Sequence, residues 1–288
     1  MAGPIDSHPL RDDPVSGGAV TVLPVGNRAL IAVSDGFIVL NPDFLGTPER
    51  PTAAYDALRP RQSPGQVRMP LGCFLLPGED PVLIDAGFGP HDYESRGTMI
   101  GGRLLDQIAR QGVRPEDVRV LGLSHLHSDH IGWVGDSRGE PVFPNAQTFI
   151  GRADWEHFID GPGEPRPPGH VLAALRALAD RGRLTLVDGE QDIAPGVRRV
   201  SAAGHTPGHS LYVIHDAGER VLLFGDAMYC PQQLSSLDWA AASDIDPVLA
   251  RKTRETLARD LERHGGQALG CHFPELVGAR ALADPGRR

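Results

Sequence analysis

Cysteine is scarce in this chain. Cys73, Cys230 and Cys271 are the only three in 288 residues, odd in number and far apart. That excludes a disulfide framework and fits a reducing compartment. Basic charge is also in short supply, with 28 lysines and arginines against 37 acidic residues and a net charge of −9. A general binder of phosphate backbones needs a basic face, so nucleic acid is not an expected partner. No apolar run approaches the roughly 20 residues of a membrane span. The opening residues MAGPIDSHPLRDDP lack the basic stretch and apolar run of a secretory leader. The expectation is a cytoplasmic protein that needs no membrane. Glycine and proline, in contrast, are abundant at 35 and 26, which points to many loops joining short elements.

β-rich runs at 19–23, 29–33 and 37–40 are separated by Gly, Asn or Asp and read as strands. Residues 41–66 are rich in Pro, Arg and polar groups and read as a long irregular connection of the kind that covers sites. Strands follow at 72–76 and 81–85, a helix at 104–111 and a strand at 118–123. Then come a strand at 143–149, a helical turn at 154–159 and a helix at 170–180. Strands at 184–187, 197–202, 211–214 and 221–224 lead to a long helix at 247–263 and a last strand at 267–270. Neighbouring strands are too often joined by short turns for a doubly wound parallel sheet. Two sheets with helices outside fit better, an α/β protein built as a four-layer αββα sandwich. One domain over 19–276 is expected, with an extension at 1–18 and a tail at 277–288 whose three arginines read as a solvated end.

The chemistry concentrates at strand ends. Ser124-His125-Leu126-His127-Ser128-Asp129-His130 follows an apolar strand. Imidazoles two residues apart, His125 and His127, reach one point, while Asp129 and His130 turn toward another. Neutral imidazole and carboxylate suit Zn²⁺ and similar first-row ions. Gly204-His205-Thr206-Pro207-Gly208-His209 ends a second strand, Gly225-Asp226 a third, and Cys271-His272 the last. Singly, each of these is an ordinary turn residue. Four strand ends bearing ligand-type side chains point to one shared site.

This set resembles the metallo-β-lactamase superfamily. The H-x-H-x-D-H signature is His125, His127, Asp129 and His130; G-H-T-x-G-H is 204–209; the early L-I-D-x-G is 83–87. The motifs stand in the family's order between about residues 19 and 272. The resemblance implies the metallo-β-lactamase fold and two divalent metal ions, zinc first, with manganese or iron as alternatives. It implies His125, His127 and His205 as ligands of one ion and Asp129, His130 and His272 as ligands of the other. Asp226 would bridge both, with His209 behind the ligands, and Asp85 either orienting an imidazole or capping a turn. A hydroxide bridging the ions would attack an electrophilic centre, and Asp129 would help move the proton to the leaving oxygen. The motif carries His127, not Glu, which favours hydrolysis over the di-iron electron-transfer branch.

Tyr229, three residues after Asp226, is similar to the tyrosine of N-acyl-homoserine lactonases that points at the substrate carbonyl. Pro141–Ala146 and the segments at 244–247 and 272–274 look like the branch of lactonases and methyl-parathion-type hydrolases. The expected substrate is a small molecule with an apolar portion, a lactone or related ester. A phosphotriesterase or arylesterase is the alternative within the superfamily, and a non-catalytic metal-binding protein the alternative outside catalysis. Trp133, Trp155 and Trp239 read as core residues first and acyl-pocket residues second, and Cys230 and Cys271 as buried neighbours of the ligands. A homodimer stays open.

Overall fold

The apolar runs at 30–33 and 73–76 show no polar alternation because both faces of their strands are covered. The computed structural model describes residues 20–58, 67–94, 98–276 and 278. Its larger sheet contains β1 (Thr21–Val25), β2 (Arg28–Val39), β4 (Arg68–Leu76), β5 (Val82–Ile84), β6 (Asp92–Glu94), β7 (Thr98–Ile100), β8 (Val120–Gly122), β9 (Gln147–Gly151) and β10 (Leu184–Val187). The second holds β11 (Gln191–Ala194), β12 (Val197–Ser201), β13 (Ser210–Asp216), β14 (Glu219–Leu223) and β16 (Gln267–Leu269). A short antiparallel pair joins β3 (Leu45–Gly46) to β15 (Ala240–Ala241).

Period-two side-chain placement assigns each residue to a layer. Ile31, Val33, Cys73 and Leu75 pack outward against Leu104 and Ile108 of α2 (Leu104–Ala109) and Val171, Leu175 and Leu178 of α5 (Gly169–Asp180). Their neighbours Leu30, Ala32, Phe74 and Leu76 face the other sheet, against Val197, Tyr212, Ile214, Leu223 and Leu269. The far side of that sheet presents Leu211, Leu222 and Ala268 to Leu257 and Leu261 of α6 (Pro247–His264). Each buried Val, Leu, Ile or Phe among them contributes about 1.5–3 kcal/mol. The layers run helix, sheet, sheet, helix, the αββα sandwich expected from the sequence.

Several boundaries differ from those expectations. The runs at 29–33 and 37–40 belong to one strand, β2, whose pairing with β4 shifts between Ser34 and Phe37. Asp35 and Gly36 form a bulge rather than a turn. The Asp35 carboxylate is buried and accepts the backbone N–H groups of Phe88, Gly89, Gly102, Arg103 and Leu104 and the Trp133 Nε1–H, at 2.7–3.1 Å. The strand expected at 143–149 begins only at Gln147. Around 154, α4 (Arg152–Trp155) runs on into a π-helical turn, Glu156–Asp160. The 41–66 segment is not wholly irregular: it holds β3 and α1 (Ala53–Leu58), while 59–66 lie outside the described residues. The extension at 1–18 and the tail at 277–288, apart from Gly278, also lie outside them. Among the described residues no helix is long and apolar enough to cross a membrane.

β5 and β8 are parallel neighbours in one sheet, and β14 and β16 are parallel neighbours in the other. The chain leaves all four at the same rim of the sandwich.

Candidate metal centre

At that rim, backbone conformation aims each side chain. His127 is extended (φ −70°, ψ 151°) and caps the short helix α3 (Ser128–Ile131), which turns His130 back toward the strand ends. Gly225 has φ +53°, and a Cβ there would meet His209 Nε2 at 2.7 Å and Ser124 Cβ at 2.9 Å. Only glycine lets the chain turn there and place Asp226 under the histidines.

The imidazoles fall into two groups around one carboxylate. His127 Nδ1 lies 3.0 Å from both His125 Nε2 and His205 Nε2. Asp226 Oδ2 faces this trio, 3.9 Å from His125 Nε2 and 3.6 Å from His205 Nε2. Asp226 Oδ1 faces the other way, 3.2 Å from both His130 Nε2 and His272 Nε2. Asp129 Oδ2 closes that second group, 3.6 Å from His130 Nε2 and 3.5 Å from His272 Nε2. All seven side chains expected to meet are thus brought together, as the sets His125–His127–His205 and Asp129–His130–His272 with Asp226 between them.

The groups behind these atoms fix their direction. His130 Nδ1 lies 3.0 Å from Asp85 Oδ2, and His205 Nδ1 lies 3.0 Å from Asp244 Oδ1. His272 Nδ1 donates to the Pro70 carbonyl at 2.8 Å, and His125 Nδ1 lies 3.0 Å from Ser124 Oγ. Asp85 also accepts the Ser124 N–H and O–H at 2.7 and 2.8 Å and the Cys271 thiol at 3.2 Å. It both orients an imidazole and ties β5 to the loop after β8. Cys271 is therefore more than a bystander, while Cys230 is simply buried, its thiol pushed up to about 11 by burial.

Electrostatics asks for positive charge at the centre. Burial drives His125 and His127 far below the ordinary histidine value, and neighbouring imidazoles add to the effect. Burial opposes protonation of His130 and His272 too, yet Asp226, Asp129 and, for His130, Asp85 outweigh it and raise both. Burial likewise works against charge on Asp226, but His272 and His130 hold it well below the carboxylate range. His130 Nε2 and Asp226 Oδ1 are buried with no hydrogen-bond partner among the described residues. Convergent nitrogens and carboxylate oxygens that do not satisfy one another are a donor set for cations. The residues present fit two divalent ions.

His209 supports the site from behind. Its Nε2 accepts the Asp226 N–H at 3.1 Å, and burial, reinforced by His205, pushes it down to about 3. The Tyr229 ring stacks on His272 with centroids 5.1 Å apart and meets His205 edge-on at 6.0 Å. Its hydroxyl shares a 3.0 Å hydrogen bond with Ser243 Oγ. Half-buried Phe44 and Trp239 pack in the same apolar cluster as Tyr229, whereas Trp133 and Trp155 pack against the helix-side core.

Three supporting acids were not singled out from sequence. Asp154 accepts Thr206 Oγ1–H and Gly208 N–H at 2.9 and 2.6 Å, clamping the loop that carries His205. Asp244 backs His205, and Asp35 pins the loops beside α3. Asp244 opens the 244–247 segment noted in the sequence, but its contact with His205 is not visible there, and Asp154 and Asp35 lie in no such segment, since each acts through residues distant in the chain.

A sequence profile described as the metallo-beta-lactamase superfamily matches residues 73–263. The chain belongs to this superfamily. An N-acyl homoserine lactonase from a Bacillus species is 28% identical over 245 residues, covering 75% of this chain and 90% of its own. The mouse metallo-beta-lactamase domain-containing protein 1 is 27% identical over 256 residues, covering 86% of this chain and 85% of its own. Among solved structures, the dizinc quorum-quenching lactonase AidC superposes with a TM-score of 0.77 at 23% identity. That superposition covers 91% of this superfamily member and 92% of AidC, and it establishes a shared metallo-β-lactamase fold.

Proposed function

We propose that this superfamily member is a dinuclear metal-dependent hydrolase that opens a lactone or cleaves a related carboxylic ester. The observation that carries the reading is the split of Asp226, whose two oxygens face separate histidine groups. His125, His127 and His205 would hold one ion, Asp129, His130 and His272 the other, with Asp226 shared. Zinc suits this mixed nitrogen and oxygen set, and manganese or iron are also compatible. When bound, such ions would supply hydroxide near neutral pH and would polarise the oxygen of the carbonyl under attack.

The chain's own residues supply the rest. Asp85 and Asp244 orient His130 and His205. Asp129 is more open than Asp226, Asp85 or Asp244, its side chain 10% exposed, and would carry a proton to the leaving oxygen. Tyr229 donates its phenolic hydrogen to the oxygen that gains charge. Burial, with Asp226 and Asp244 adding to it, pushes that phenol well above its ordinary value, so it stays protonated as a donor. Phe44 and Trp239 offer apolar surface beside Tyr229 for the substrate's apolar portion. The lactonase named among the curated relatives supports this substrate class. The working unit is one domain spanning 19–276.

Elemental analysis of metal-replete protein should give about two ions per chain. A screen of lactones, aryl esters and phosphotriesters should give fastest turnover with a lactone or carboxylic ester, and Asp226→Ala should abolish it. Faster phosphotriester cleavage would move the assignment to that class. Binding without turnover of any of them would leave a metal-binding protein.

A further inference from the structure

Among the described residues Arg254 is the largest fully buried side chain, at 1% exposure. Burying an arginine is unfavourable unless its charge and donors are used. Its Nη1 faces Asp244 Oδ2 at 3.4 Å, its Nε donates to the Leu237 carbonyl at 3.1 Å, and the Asp244 side chain is wholly buried. The other Asp244 oxygen meets His205 Nδ1 at 3.0 Å. A charged chain therefore runs from the centre of α6, through Asp244, to one imidazole of the His125–His127–His205 group.

The backbone around it is tied to the same loop. Ile245 N–H donates to the His205 carbonyl at 3.0 Å, and Asp246 N–H to the Gly204 carbonyl at 2.9 Å. Ala241 N–H donates to Asp244 Oδ2 at 3.1 Å. Gly204, at φ +137°, lies so close to Ala250 of α6 that a Cβ would collide with its backbone. The segment thus reads the position of the His205 loop through its main chain and holds the imidazole through one carboxylate. Each histidine group contains one imidazole backed by a buried acid, His130 by Asp85 and His205 by Asp244. Both pairings join residues distant in the chain, 45 positions apart for Asp85 and His130 and 39 for Asp244 and His205.

We infer that Asp244, braced by Arg254, is a positioning residue that fixes the tautomer and direction of His205 and strengthens it as a ligand of the first ion. A carboxylate behind a ligating imidazole holds its Nδ1 protonated, leaves the Nε2 lone pair facing the ion and raises ligand strength. Arg254 supplies the buried counter-charge that lets the acid sit there. The inference rests on the two-ion reading given above.

The test titrates metal-free wild type, Asp244→Asn and Arg254→Lys with Co²⁺, reading visible absorption and competition with a chelator. Urea unfolding of each metal-free protein is measured alongside. Wild type should take two equivalents. Asp244→Asn should weaken one of them by about 10–100-fold and leave the other within about threefold. Arg254→Lys should weaken the same equivalent by a smaller factor, and it carries the test alone if Asp244→Asn does not fold. Lowered unfolding midpoints with both affinities unchanged would reduce the pair to a brace for α6 and overturn the inference. A wild type that takes up no Co²⁺ would overturn the two-ion reading itself, so the two failures are distinct.

Discussion

Asp154 should make the metal-free protein less stable as pH rises from about 4 to about 6. Its carboxyl is buried, and burial raises it to about 6 against the hydrogen bonds from Gly208 and Thr206 that favour its charged form. The folded protein therefore binds this proton more tightly than the unfolded chain, whose value is near 3.8. Below 3.8 both states hold the proton and the group is neutral to stability. Between the two values only the folded state holds it, so stability falls with each step up in pH and levels off above 6. Each tenfold in proton affinity is worth about 1.4 kcal/mol, which makes the total about 3 kcal/mol. Asp154→Asn cannot titrate, and its amide oxygen still accepts from Gly208. Urea unfolding of chelator-treated wild type and Asp154→Asn, at intervals from pH 4 to pH 7.5, isolates the effect because the other titrations cancel in the difference. The variant should gain about 3 kcal/mol on wild type across that range. A difference that stays constant with pH would refute the argument, and one that moves the other way would mean that the hydrogen bonds outweigh burial.

Other outcomes follow from the same geometry. Asp35→Ala removes the acceptor of five N–H groups, those of Phe88, Gly89 and Leu104 fully buried, and of the Trp133 indole; it should destabilise the fold by on the order of 5 kcal/mol in urea unfolding and shift tryptophan fluorescence. Tyr229→Phe should lower lactone kcat by about tenfold with an unchanged thermal midpoint, less than the hundredfold for a sole oxyanion donor, because bound cations share that charge. Unchanged turnover would remove Tyr229 from the mechanism. In metal-replete enzyme kcat/KM should rise through a value of about 7 as hydroxide becomes available; a flat profile would require a different nucleophile.

Much of the architecture could be read from local patterns. The apolar runs, the helix formers at 170–180 and 247–263 and the glycine punctuation located most elements of both sheets within a few residues. The misreadings share a cause. Asp35-Gly36 looks like a break because an acid and a glycine inside an apolar run usually mean a turn. Here a strand continues through them because residues 53–98 positions later supply donors to the carboxylate. The strand before 147 begins late because Pro144 and Asn145 belong to a turn, with Asn145 Nδ2 donating to the Glu116 carbonyl at 2.8 Å. The two-residue pair β3–β15 bridges some 195 residues of chain, and neither partner has a pattern of its own.

The sequence alone determined which potential donor side chains the chain carries, their order and their position at strand ends, because imidazole and carboxylate chemistry is intrinsic to the residues and their spacing is local. Only the tertiary structure decided that Asp226 turns one oxygen to each histidine group. The same is true of Asp244, Asp154 and Asp35, which stand behind the site. Those facts depend on distances between segments far apart in the chain, set by how two sheets and their helices pack, and local spacing carries no record of them.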